Sequence, residues 1–235
     1  MPQGFRVDRG RLAPYLGLLL AACTPSQPGS IVPMEAQPIS RADVQSWVEA
    51  TAPSGHLAHR FRWQVQDDRG SAGGRGTARV ARPDSLRLDV VGPLGSGRGA
   101  GVVVGDSAQW AEPPDVLERL IVNYPLMWAM LGVMREPPAG AVLRGARDEE
   151  AVRWEWALGA DTVAYRWDSV AGQLAAQARS SGVLVGRVET SINAEGRPTS
   201  SRLTVPRPAT RISLTFTETT PAASFSPDLW APPAP

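Results

Sequence analysis

The chain alternates between two hydrophobic periods. From about residue 59, apolar side chains fall at every second position: Phe61, Trp63 and Val65 alternate with Arg60, Arg62, Gln64 and Gln66. This spacing predicts a strand with one apolar face. Asp67-Asp68-Arg69-Gly70 and the glycines after it predict a turn, with a strand returning over 77–81. Leu86, Leu88 and Val90 alternate with Arg87 and Asp89, and short apolar runs follow at 101–104 and up to Trp110. Strands resume with Val152, Trp154 and Trp156, then Val163, Tyr165 and Trp167. Further strands are expected over 174–178, 183–191 and 201–205 and at Ile212, Leu214 and Phe216. Turns are expected at Gly159-Ala160-Asp161 and Ser181-Gly182, and over 193–196 and 206–208.

A period near 3.6 appears twice. Ser40 reads as an N-cap with Asp43 in the first turn, and Val44, Trp47, Val48 and Thr51 share one face. Pro53-Ser54-Gly55 ends that helix. In the middle of the chain, Pro113-Pro114-Asp115 opens a helix with Val116, Leu117, Leu120 and Ile121 on one side. Asn123-Tyr124-Pro125 breaks it, and an almost wholly apolar stretch runs from Leu126 to Val133 before Pro137-Pro138. About ten or eleven antiparallel strands interrupted by a helical block predict an α+β fold.

The first residues change the picture. Arg6, Arg9 and Arg11 precede a short apolar run over 12–22, and Leu20-Ala21-Ala22 leads into Cys23, the one cysteine of the 235 residues. The run is well short of the ~18–20 apolar residues that cross a bilayer. It fits a secretory signal with a small-residue cleavage site, and Cys23 stands where a bacterial lipoprotein is acylated. Residues 1–22 are therefore expected to be a lipoprotein signal peptide. Residues 23–39 are expected to be the lipidated Cys23 and a Pro- and Ser-rich flexible tether, and 40–235 the folded domain with a Pro-rich tail. Diacylglyceryl and N-acyl groups on Cys23 would anchor the chain stably. Thr24, rather than Asp, follows the cysteine. That favours the outer membrane, with the domain facing the periplasm.

Composition narrows the chemistry. The formal net charge is +1, with no Lys in the sequence, so nothing points to nucleic acid. His56 and His59 have no cysteine or acidic partner nearby and read as surface polar residues, so no metal site is expected. Gly95, Gly97, Gly99 and Gly101 lack the spacing of a dinucleotide loop and lead into a strand. Asp148-Glu149-Glu150 reads as a solvated turn. No nucleophile elbow and no paired carboxylates stand in an apolar setting, so no catalytic residue and no cofactor beyond the acyl groups is expected.

One segment carries a resemblance. A strand over 86–91 ends in Gly92-Pro93-Leu94-Gly95, followed by small residues and a second apolar strand. A Pro-flanked helix, Pro125-Leu126 with Gly132, Pro137-Pro138 and strands with Trp154, Trp156, Tyr165 and Trp167 follow in order. This order resembles the LolB/LolA-like family of lipoprotein-sorting proteins. The resemblance implies an incomplete β-barrel, covered by a few helices and enclosing an apolar cavity for acyl chains. It implies that Leu94 sits on a protruding loop that helps insert cargo into a membrane. Implied partners are membrane lipid, acylated lipoproteins and a LolA-like periplasmic carrier, with the chain itself a monomer. Eight Trp and five Met supply apolar bulk. Trp63, Leu88, Leu126, Trp128, Met130, Trp154, Trp156 and Trp167 are the candidates to line the cavity. The same residues would equally fill a core, which leaves open an accessory envelope lipoprotein with no transfer activity.

Overall fold

The computed structural model describes residues 31–32, 35–53, 55–81, 83–114, 121–147, 149 and 151–232. The signal segment, Cys23, residues 115–120 with Val116, Leu117 and Leu120, Asp148 and Glu150 lie outside them. The described residues form one sheet of thirteen antiparallel strands. In chain order these are β1 (Gln37–Pro38), β2 (His56–Asp67), β3 (Gly70–Ala81), β4 (Ser85–Val91), β5 (Arg98–Val104), β6 (Ser107–Glu112), β7 (Val142–Arg147), β8 (Val152–Leu158), β9 (Asp161–Asp168), β10 (Gln173–Ser180), β11 (Val183–Ile192), β12 (Pro198–Pro206) and β13 (Ala209–Ala222). Two helices join them, α1 (Arg41–Thr51) and α2 (Tyr124–Met130).

The strand order is β1-β7-β8-β9-β10-β11-β12-β13-β2-β3-β4-β5-β6. Two meanders, β2–β6 and β7–β13, are thus joined by the pairing of β13 with β2, which sets Leu214 opposite Trp63 and Ile212 opposite Val65. The sheet stays open, with β1 and β6 at its edges. It is the expected incomplete barrel.

The eleven strands expected from alternation are all present, and β1 and β7 are additional. β7 reads VLRGAR, where Gly145 and Arg147 interrupt the apolar alternation. The glycine run after residue 70 is a correction: it is strand β3 rather than turn. A Cβ on Gly74 would lie 2.8 Å from the Trp63 ring, and one on Gly76 would lie 2.5 Å from the Phe61 ring. Rings from β2 occupy the space that the glycines leave, so the first half of the strand packs through its partner's side chains.

Ser40 caps α1 as expected. Its hydroxyl accepts from the Asp43 amide at 3.1 Å, and the Asp43 carboxylate accepts from the Ser40 amide at 3.2 Å. Asn123, expected to break a helix, instead starts one: its side-chain oxygen accepts from the Leu126 amide and caps α2. Every residue from Pro125 to Met130 is buried, the mark of a helix enclosed on all sides. α2 divides the interior. Leu126, Ala129 and Met130 join Val44, Val48, Trp154 and Tyr165 in one apolar cluster. Met127, Trp128 and Leu131 join Phe61, Val80, Leu86 and Val103 in another.

Both ends of the described chain lie against the sheet. Val32 and Ala36, within the stretch read as tether, are buried with Ala164. Packing therefore begins before residue 40. At the other end, the Arg87 guanidinium donates to the Leu229 carbonyl at 2.6 Å, and the Trp110 indole donates to the Trp230 carbonyl at 2.8 Å. The Pro-rich tail is pinned across β4 and β6.

Candidate functional site

A cavity opens between α2 and the β2–β4, β13 part of the sheet. Alternation places Phe61, Trp63 and Val65 of β2, Leu88 and Val90 of β4, and Ile212 and Leu214 of β13 along its wall. Ile121, Met127, Met130 and Leu131 close it from the other side. Every lining residue is apolar or aromatic, and two of the covering residues are methionines, whose unbranched thioethers adapt to irregular partners. Phe61 and Phe216 meet edge to face, with ring centroids 6.0 Å apart.

The space open to a water-sized sphere is about 50 Å³. An engineered apolar cavity of ~150 Å³ holds only a benzene. A long acyl chain does not fit the volume as it stands.

The residues chosen from sequence divide between this cavity and the packed core. Trp63, Leu88 and Met130 line the cavity. Leu126 and Trp154 are fully buried in the cluster around α1 and α2, and Trp156 packs in the same cluster. Trp167 packs partly buried against it and borders a separate pocket with Leu57, Ile192 and Arg197. Trp128 is buried in the second cluster, its indole nitrogen donating to the Gly105 carbonyl at 2.9 Å. Phe61, Val65, Val90, Ile212 and Leu214 were not among the sequence candidates. Their signal was the alternation of β2, β4 and β13, which shows a shared face but not which neighbour shares it.

Polar atoms inside are few and distinctive. The indole nitrogens of Trp63, Trp154 and Trp156 are buried with no hydrogen-bond partner among the described residues. Arg135, just past α2, sets its guanidinium 5.0 Å from the Trp128 ring centroid. Its amide donates to the Tyr165 hydroxyl at 3.4 Å. Burial raises the Tyr165 hydroxyl well above its ordinary range. Burial also raises the Asp106 carboxyl; Arg135 opposes that shift and Asp84 adds to it. Trp128, Gly105 and Arg135 thus latch the end of α2 to the β5–β6 hairpin.

His59 is a correction: it is buried, not on the surface. Its Nδ1 lies 2.9 Å from the Thr219 hydroxyl, and its ring meets Phe216 edge-on. Burial, then Arg197, lower its pKa to about 4. Alternation from Phe61 to Trp63 extends back to residue 59, the signal that places it on the inner face.

Leu94 is fully exposed at the tip of the β4–β5 connection. It is held in the left-handed region at φ 54°, uncommon for a residue with a side chain. The turn is closed beneath it: the Gly92 amide donates to the Gly97 carbonyl at 3.0 Å, and the Ser96 hydroxyl donates to the Pro93 carbonyl at 2.6 Å. Among the described residues, no helix is long and apolar enough to cross a membrane.

No protein-family model and no curated protein matches the chain. Solved structures do. A LolA-superfamily protein from Nitrosomonas europaea superposes with a TM-score of 0.58 at 13% identity, covering 83% of this chain and 98% of that one. An outer membrane lipoprotein-sorting protein domain from Vibrio parahaemolyticus superposes with a TM-score of 0.53 at 9% identity, covering 80% and 94%. The likeness is one of fold.

Proposed function

On a chain with the fold of the LolA superfamily, we propose a lipid-anchored, periplasm-facing protein that binds acyl chains between α2 and the sheet. The supporting observation is the cavity itself. It is apolar throughout and roofed by a short helix with two adaptable methionines. Cys23 carries the diacylglyceryl and N-acyl groups that hold the chain to the outer membrane, and a LolA-like carrier delivers acylated lipoproteins to it. Leu94, on its exposed tip, enters the membrane interface as cargo leaves. The exchange moves an acyl chain between two apolar phases, so the ~0.8 kcal/mol per methylene that each holds against water nearly cancels. It uses no nucleophile, metal or further cofactor, and the protein acts as a monomer.

Uptake is measured with an acylated peptide bearing a fluorophore, and delivery by its release to vesicles. Wild type is expected to bind and release it. Leu94→Glu is expected to bind as well but to release more slowly, with an unchanged unfolding midpoint. Failure of wild type to bind any acylated peptide overturns the proposal. One observation favours a second reading, an accessory envelope protein with a filled interior: the cavity's volume of about 50 Å³. That reading expects no uptake at all.

A further inference from the structure

We infer that the protein touches the bilayer at a second place, the strand tips of the β7–β11 half of the sheet. Antiparallel pairing fixes which tips share an end. Val142 lies beside Leu158, since it opposes Ala157. Leu158 opposes Asp161, Asp161 opposes Ser180, and Ser180 opposes Val183. The register continues from Arg187 opposite Thr204, through Arg211 opposite Gln66, to Arg75 opposite Val91. The Leu94 turn therefore stands at the same end of the sheet as Val142, Leu158 and Val183.

Four of the seven large apolar residues exposed among those described stand at that end, against Val104 and the 88% exposed Val170 at the other. Val142 is 65% exposed, Leu158 44% and Val183 47%, and Leu94 is fully exposed. Of the other large apolar residues exposed among those described, Val104 and Val170 follow β5 and β9 to the opposite end, and Val122 precedes α2. Stretches 139–142, 158–161 and 180–183 otherwise hold Gly, Ala and Ser, with one charged residue, Asp161.

A bilayer fits this arrangement better than a protein groove. β7 and β11 are four strand spacings apart, so Val142 and Val183 are separated by about 19 Å along the sheet. Scattered single side chains at one end of the sheet do not make a continuous protein-binding patch, but a deformable apolar phase meets them together. Exposed charges at this end are of both signs, Arg69, Arg75, Arg98, Arg207 and Arg211 against Asp67, Asp68 and Asp161. Persistence in high salt distinguishes an apolar contact from a headgroup-charge contact. From Cys23 to Ile31 the chain reaches at most about 29 Å, enough for an anchored domain to bring this end to the surface.

The inference rests on the membrane attachment proposed above. The full chain, purified from membranes, is tested with one cysteine introduced at a time: Val142→Cys, Leu158→Cys, Val183→Cys, and Val170→Cys as the opposite end. Each is labelled with an environment-sensitive dye and reconstituted into phosphatidylethanolamine–phosphatidylglycerol vesicles carrying doxyl-labelled acyl chains. A blue shift and loss of emission are expected at Val142, Leu158 and Val183, persisting in high salt, with a water-like signal at Val170. Water-like signals at all three tips, or equal quenching at Val170, overturn the inference. Acylated-peptide uptake by the same variants separates the two ideas. Uptake with unquenched tips removes this inference alone, and quenched tips without uptake remove the cavity alone.

Discussion

Gly74 shows how much of the site is set by missing atoms. A Cβ there would collide with the Val91 carbonyl and approach the Trp63 ring at 2.8 Å. Gly74→Ala is expected to cost about 1–3 kcal/mol, as overpacking does, read from the denaturant midpoint. It is also expected to push Trp63 into the cavity and weaken acyl binding. His59 gives a pH test. Its pKa falls from 6.5 in the unfolded chain to about 4 in the folded one. The unfolded chain therefore takes up the proton first as pH drops. The His59 contribution is complete above about pH 6.5 and is lost between there and pH 4, on the order of 3 kcal/mol in all. Unfolding midpoints over that range are expected to fall for wild type and to stay flatter for His59→Gln.

Under the proposed function, α2 roofs the acyl site. It is a seven-residue helix, capped by Asn123 at its start and held at its end by Trp128 and Arg135. Trp128→Phe keeps the bulk but leaves the buried Gly105 carbonyl without its donor. It is expected to cost about 1–3 kcal/mol and to speed hydrogen exchange in α2 ahead of the sheet, measured by mass spectrometry. Much at this scale was legible in sequence: the eleven alternating strands, the Ser40 cap and the exposed Leu94 turn. The first half of β3, residues 70–76, was not, because its glycines carry no period and the partner strand's rings supply the packing. Nor was the division of tryptophans legible. Trp63 and Trp154 each sit on the inner face of a strand, and α2 decides that one borders a cavity while the other stacks on Tyr165 at 4.8 Å.

At the scale of the whole molecule, the proposed binding makes a prediction about stability. An acylated peptide that binds only the folded protein is expected to add about 2.7 kcal/mol at a hundredfold its Kd, seen as a rise in thermal midpoint. A peptide without the acyl chain is expected to leave the midpoint unchanged. The open sheet has a separate consequence. A closed barrel has no edges, whereas this sheet has two, and unpaired strand edges invite other chains to add on. At one edge, β1 is two residues long and ends in Pro38, which has no amide hydrogen to offer a newcomer. At the other, the C-terminal segment reaches β6 through the bond from Trp110 to the Trp230 carbonyl. Pro38 and the C-terminal segment thus stand at the two edges, and an open sheet shielded there is expected to resist the edge-to-edge pairing that seeds aggregates.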